Sequence, residues 1–409
     1  MVLMDVKTLL EIRRKKGLAI AQTKKVVHQN GVWVVPSATR PSQIYKVRFS
    51  IEGAKCNCLD FVERGLRCKH IFTVDITISR KFNSDGTTTI TQTRRIQYPQ
   101  NWPAYDKAQT KERELFMELL SDLCQDVEEP LYAFGRPRLP LKDMVFCSAL
   151  KVYSTFSLRR FQGDVRTALD KGYISRQSSF TSVGKYIQSE KLTSILERLI
   201  IVSATPLRTV ETDFAIDSTG FRTTKFNDYC REKHGITRSH RWIKAHMCCG
   251  AKTNIITSIK VMDEDSADSP QFIPLAQETY ENGFRINEMS ADKAYSSRDN
   301  LAYINEIGGV PYIPFRTNAS GKPRGSDHIW RRMYDFFSFR RDEFMQHYHR
   351  RSNIESTNNM IKAKFTDLVR SRDSVAQKNE VLLKALCHNI VVLIQETHEL
   401  GIKPEFWVN

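Results

Sequence analysis

Along this chain, hydrophobic positions recur first with a helical period, and the texture changes after Ser203. Near the start, Val6, Leu9 and Leu10 fall on one side of a helix that ends in a basic run, Arg13–Lys16. Residues 31–52 (GVWVVPSATRPSQIYKVRFSIE) are rich in β-branched and aromatic side chains and are broken by Pro36 and Pro41, which predicts two strands. A polar tract, NSDGTTTITQT, comes next, and the prolines Pro99 and Pro103 predict a linker. A helix is expected near 107–127, where Leu115, Phe116, Leu119, Leu120 and Leu123 share a face. From Gly135 to about Ile201 the period stays helical with a basic excess; two short helices joined by a turn would suit a helix-turn-helix-like DNA reader, and a plain scaffold fits as well.

Beyond Ser203, TDFAIDSTGF reads as a strand and WIKAHMCCGAKTNIITSIKVMD as two strands turning near Gly250. Residues 271–282 read as helix, RINEMSAD as strand, RDNLAYINEI as helix and GVPYIPF as strand. One long helix is expected through YHRRSNIESTNNMIK (348–362), and an apolar helix, VLLKALCHNIVVLI, closes the pattern. Antiparallel strands followed by alternating helices and strands predict an α/β layer, a mixed sheet flanked by helices.

The 409 residues allow two or three domains, and a hydrophobic fraction of 41% argues against disorder. No apolar run reaches the ~18 residues of a membrane span. The N-terminus lacks a signal peptide's apolar segment, so a cytoplasmic, nucleoid-associated protein is expected. The nine cysteines then point to thiols or metal ligands rather than disulfides. A net charge of +16 changes the picture further, because it is concentrated: residues 1–50 hold ten Lys/Arg against two Asp/Glu, and 316–373 hold thirteen against seven. Such blocks attract a polyanion, most commonly nucleic acid.

In CNCLDFVERGLRCKH, Cys56, Cys58, Cys68 and His70 form Cys-x-Cys, nine residues, Cys-x-His. Three thiolates and an imidazole make a closed tetrahedral shell for one structural Zn2+. The pattern resembles the SWIM-type zinc finger, a small β-hairpin-plus-helix module of about 40 residues associated with DNA or protein binding. Cys248 and Cys249, adjacent on a strand, point to opposite faces and read as packing residues.

On an unbroken helix, Tyr348, Arg351, Glu355 and Lys362 would lie within roughly 60° of one another. A solvated face with a surface ion pair also produces such a stripe. Two further acids weigh against that: Asp217 is expected at the end of one apolar strand and Asp292 just past another. Two strand-end aspartates and a helix glutamate are the hard oxygen donors of a two-metal phosphoryl-transfer site. Asp213 shares a face with Asp217 but stands at the strand's entry and is left out; His246 and Lys244 read as packed or phosphate-near.

Residues 206–395 resemble the DDE transposases of prokaryotic insertion sequences, with an RNase H-like core. Asp217 in DSTGF and Asp292 in ADKAY match the first two acids, and Glu355 lies in Tyr-x2-Arg-x3-Glu-x6-Lys, a subgroup signature. The resemblance implies two Mg2+ or Mn2+ ions on Asp217, Asp292 and Glu355, with Tyr348, Arg351 and Lys362 gripping DNA phosphates. It implies cleavage at transposon ends, strand transfer of the 3′-hydroxyl into target DNA, terminal inverted repeats as partner, and a homodimer in the synaptic complex. The alternatives are a transposase-derived regulator without catalysis and a structure-selective nuclease. Some members of the subgroup place a β-rich domain before the glutamate; here 63 positions separate Asp292 from Glu355 (355 − 292). The expected organisation is a basic helix (1–30), a zinc module (31–95), a linker and helix (96–130), a helical DNA-binding region (131–205) and the catalytic domain (206–400).

Overall fold

The computed structural model describes residues 6–29, 32–40, 43–50, 53–82, 88–92, 101–131, 134–135, 138–224, 242–322 and 328–407. The expected linker at Pro99 lies outside them. Pro103 instead sits in the first turn of the helix Trp102–Cys124, where a missing N–H costs nothing, behind an Asn101 cap. The chain divides into two compact units, 1–99 and 100–409.

In the first unit, the helix Val6–Thr23 precedes a four-stranded antiparallel sheet in sequential order: β1 (Val27–Gln29), β2 (Val32–Pro36), β3 (Ile44–Ser50) and β4 (Gly53–Cys56). β2 and β3 fall where alternation predicts strands. β1 and β4 have three and four residues, too few for the period to register. Trp33 and Val35 on β2 and Val47 on β3 turn inward, against Ile71 and Val74 of the helix Lys69–Thr77. The N-terminal helix crosses that helix at Gly17, where an added Cβ would lie 2.8 Å from both Lys69 O and Phe72 Cβ. A short helix (Leu59–Arg64) and a hairpin of β5 (Ile78–Phe82) and β6 (Thr88–Gln92) complete the unit.

The second unit sets five helices, Trp102–Cys124, Leu141–Tyr153, Gln162–Asp170, Phe180–Ile187 and Glu190–Ala204, before a five-stranded sheet. The strands are β7 (Asp213–Arg222), β8 (Trp242–Gly250), β9 (Ile256–Asp263), β10 (Glu288–Ala291) and β11 (Val310–Tyr312), in the order β11-β10-β7-β8-β9. β7, β8 and β9 pair antiparallel, while β10 and β11 run parallel to β7 and to each other. This is the mixed α/β sheet of an RNase H-like core. Each parallel strand needs a crossover, supplied by the helices Phe272–Glu281 and Arg298–Glu306.

The 26-residue helix Ser374–Glu399 is buried nearly all round, the signature of a central helix. Its Asn389 spends every amide group inside the core: Oδ1 accepts from Ile256 N (2.9 Å), and Nδ2 donates to Ile256 O, Ile200 O and Ser203 Oγ. The helix thereby ties β9 to Glu190–Ala204. Cys248 and Cys249 are both buried in β8. Among the described residues, no helix is long and apolar enough to cross a membrane.

Two expectations need correction. β7 does not end at Asp217; it runs on to Arg222, because β8 pairs with it throughout, from Phe214↔Gly250 to Arg222↔Trp242. Nor is there one unbroken helix through 348–362. A 3-10 turn, His349–Arg351, separates Arg341–Tyr348 from Ser352–Phe365.

Candidate functional sites

In the first unit, Cys56 ends β4, Cys58 caps the helix Leu59–Arg64, and Cys68 and His70 flank the start of Lys69–Thr77. All four are buried, and their ligand atoms lie within 4.8 Å of one another. His70 aims Nδ1 inward, 3.9 Å from the sulfurs of both Cys56 and Cys68, while Tyr45 stacks on its ring at 3.9 Å. The Cys68 thiol is drawn down to about 4, chiefly by its hydrogen bond with Cys56, whose own proton is held correspondingly tightly. A thiol poised to ionise among soft donors fits a tetrahedral zinc shell.

In the second unit, the parallel register decides the geometry. β10 pairs Glu288 with Asp213 and Ala291 with Ile216, so the next residue, Asp292, falls opposite Asp217. Neighbouring strands are about 4.8 Å apart, which brings the two aspartates side by side. Asp292 caps the short turn Lys293–Tyr295, its Oδ1 accepting from Ala294 N. Glu355 lies in the first turn of Ser352–Phe365, where the helix dipole favours a carboxylate.

Arg351 joins these elements. Its Nη1 is 3.2 Å from Asp217 Oδ2, its Nη2 is 2.9 Å from Glu355 Oε1, and its Nε donates to Tyr348 Oη at 3.1 Å. Burial raises the Asp217 pKa, Arg351 opposes the rise, and the nearby Asp292 and Glu355 charges add to it. Asp217 thus feels the charge of both other acids. The three acids do not close a shell around a single point: the Cys/His set is the group of that kind among the described residues, and here a guanidinium lies between two of the acids. The donor set nonetheless fits Mg2+ or Mn2+, being three carboxylates, one of them desolvated.

Odd-numbered residues of β7 share one face, so Asp217, Thr219 and Phe221 form a track. Lys362 reaches the far end of it, its Nζ 5.7 Å from the Phe221 ring centroid. The stripe of Tyr348, Arg351, Glu355 and Lys362 therefore survives the 3-10 turn, in which residues three apart eclipse. His246 pairs with Ser218 and faces the other side of the sheet; it is fully buried, with Nδ1 3.6 Å from Asp268. Lys244 pairs with the same Asp268 at 2.6 Å.

Sequence reasoning missed a clamp beside this site. Arg350 reaches the entry-end acids, pairing with Asp213 and lying 3.0 Å from Glu288 Oε2. His347 Nδ1 is 2.9 Å from Glu288 Oε1, and its ring stacks on Tyr312 at 4.5 Å. Successive arginines are thus tied to acids four residues apart on one strand, which fixes the turn that presents Arg351.

A mixed sheet with acids on adjacent central strands and a third acid on a covering helix defines an α/β domain with three carboxylates gathered at one edge of its central strands. Residues 208–390 match the family model of the transposase DDE domain, and residues 32–74 match that of the SWIM zinc finger. The chain carries a transposase DDE domain preceded by a SWIM zinc finger. Among solved structures it is similar to the piggyBac transposase in a synaptic complex with hairpin DNA, at 11% identity over 71% of this chain and 74% of that one, with a TM-score of 0.34. A score that low carries no weight here.

Proposed function

We propose that the protein is a DNA transposase in which Asp217, Asp292 and Glu355 hold two Mg2+ or Mn2+ ions. The observation that carries this reading is the β7/β10 register, which sets Asp292 beside Asp217 while Arg351 links Asp217 to Glu355. The ions would activate the attacking hydroxyl and stabilise the leaving oxygen of the phosphodiester. The chain's own groups do the rest. The carboxylates fix the line of displacement, and the packed face of β7 keeps the site rigid. Arg351, Tyr348 and Lys362 present two cations and a phenol to backbone phosphates. Arg351 balances the acids in the absence of DNA and can exchange a carboxylate for a phosphate oxygen, since its fork suits both.

The substrates on this reading are the terminal inverted repeats of a transposon and the target DNA, bound by a homodimer in the synaptic complex. Water cuts first, and the freed 3′-hydroxyl then attacks the target. The zinc module reads the DNA end, in a cytoplasmic, nucleoid-associated setting. The test is a cleavage and strand-transfer assay with Asp217→Asn, Asp292→Asn and Glu355→Gln. Each should abolish both steps while leaving end binding intact. Cleavage without joining by the wild type would make the protein a nuclease, and binding without either step would make it a regulator.

A further inference from the structure

A second cationic site lies beyond the far end of β7. The strand's last residue, Arg222, is tied to the segment after the Glu355 helix: Val369 N donates to Arg222 O at 2.7 Å, and Arg222 N to Asp367 O at 2.8 Å. That segment continues through Arg370, Ser371 and Arg372 into the N-terminus of the helix Ser374–Glu399. Opposite it stands the C-terminal end of Leu141–Tyr153. Between them is a cleft of about 490 Å³, lined among others by Lys151, Ser157, Gln188, Arg370, Arg372 and Glu380.

Lys151 is the telling residue. It is only 9% exposed and lines the cleft, yet its ammonium makes no hydrogen bond or ion pair among the described residues. Lysines are rarely buried without a partner, because the desolvation goes uncompensated. Glu380 is the nearby acid whose charge favours the ammonium. Its oxygens are already committed to Arg370 N, Ser371 N and Ser371 Oγ, at 2.7–3.1 Å. Arg370 is held in place by donating to Thr155 O, on a threonine with φ of 55°. The Arg372 side chain is exposed and makes no bond among the described residues. Three cations thus line a cleft whose Glu380 is spent on Arg370 N and Ser371; Asp373, the other acid of the lining, is spent as well, its Oδ1 capping the helix Ser374–Glu399 by accepting from Ala376 N at 3.0 Å.

We infer that this cleft binds a phosphate of the DNA backbone, gripped by Lys151, Arg370 and Arg372, some distance from the acids. The inference rests on the transposase reading for the source of the phosphate. From Asp217 to Arg222 is five residues of strand, about 17 Å, and the step across to Arg370 brings the separation to about 20 Å. At 3.4 Å per base pair, that is about six steps along a duplex from the scissile phosphate. The cleft would set where the flanking DNA lies relative to the cut.

The test uses the full-length protein with Arg372→Ala, an exposed change that leaves the core alone, and Lys151→Met, which keeps the length of the chain. Two measurements are made: the slope of log affinity for transposon-end DNA against log salt, and the melting temperature in inorganic phosphate against chloride at equal ionic strength. The expected result is that phosphate stabilises the wild type and stabilises Arg372→Ala less, and that each variant flattens the DNA slope by about 0.9. Phosphate stabilisation with an unchanged DNA slope would overturn the DNA assignment and leave a site for a free anion. No phosphate effect and no change in slope, in an Arg372→Ala protein that melts like the wild type, would overturn the site altogether. Failure of the transposase reading would look different: no strand transfer by the wild type, with the phosphate effect on Arg372 still present.

Discussion

Replacing Arg351 by alanine tests whether its guanidinium is structurally engaged with the acids or merely waiting for DNA. The Asp217–Arg351 contact is 3.2 Å, and the two side chains are 19% and 16% exposed. At an effective dielectric of about 20, a unit pair at that distance is worth about 5 kcal/mol. More than half of this is offset by the desolvation that Arg351 itself escapes once removed. The pair with Glu355, whose side chain is 57% exposed, adds little. The net expectation is a loss of about 2 kcal/mol from the second unit. For a unit of this size that corresponds to a fall in melting temperature of about 3 °C.

The structure also says where the loss comes from, and that can be isolated. Asp217 would be left desolvated beside two other carboxylates, so Asp217→Asn should remove most of the penalty. In a double-mutant cycle the coupling should be about 2 kcal/mol. Added Mg2+ or Mn2+ should raise the melting temperature of Arg351→Ala more than that of the wild type, because no guanidinium competes for the acids. Differential scanning calorimetry without DNA suffices. A variant that melts within about half a degree of the wild type, with no coupling to Asp217, would refute the reasoning and leave Arg351 as a surface residue.

The zinc module should hold one tightly bound zinc per chain; Cys68→Ser or a strong chelator should release it and unfold residues of the first unit alone, leaving the melt of the second unchanged, and elemental analysis finding no zinc would sink the assignment. Lys362→Ala should flatten the salt dependence of end binding by about 0.9 without changing the stimulation of cleavage by Mn2+, and an unchanged slope would take it out of the phosphate track. Arg350→Ala should slow cleavage by about tenfold through loosening of the turn, with end affinity nearly kept; equal rates would show that the clamp has no bearing on catalysis. Burial raises the Glu396 pKa from 4.5 to about 7. An acid with a raised folded pKa contributes stability below its unfolded value and loses it as pH rises through the folded one. Glu396→Gln should therefore be about 2–3 kcal/mol more stable than the wild type at pH 8 and match it near pH 4.5, and parallel stability curves across that range would contradict the assignment.

What could be read from the sequence was whatever local spacing encodes. Cys56, Cys58, Cys68 and His70 announce themselves because their chemistry is rare and close-set. β7, β8 and β9 are apolar enough to be seen, and the stripe on 348–362 keeps its alignment even though the helix is broken. What escaped depends on the partner rather than on the residue. Lys151 reads as a solvated lysine at a helix end until Ser374–Glu399 is known to cover it. Arg350 reads as one more charge beside Arg351, because only the folded sheet supplies Asp213 and Glu288. Even so, one signal was present. Asp213 precedes Asp217 by four residues, and Glu288 precedes Asp292 by the same four. Two strands with acids at matched spacing, followed by two adjacent arginines, are what a parallel pairing in that register requires: each arginine then meets one acidic row, Arg350 at the entry and Arg351 at the site. Any other register would leave the acid rows staggered, with Arg350 and Arg351 unable to meet one row each. The matched spacing fits the pairing of β7 and β10 that sets Asp292 beside Asp217, but it takes the folded sheet to choose that register.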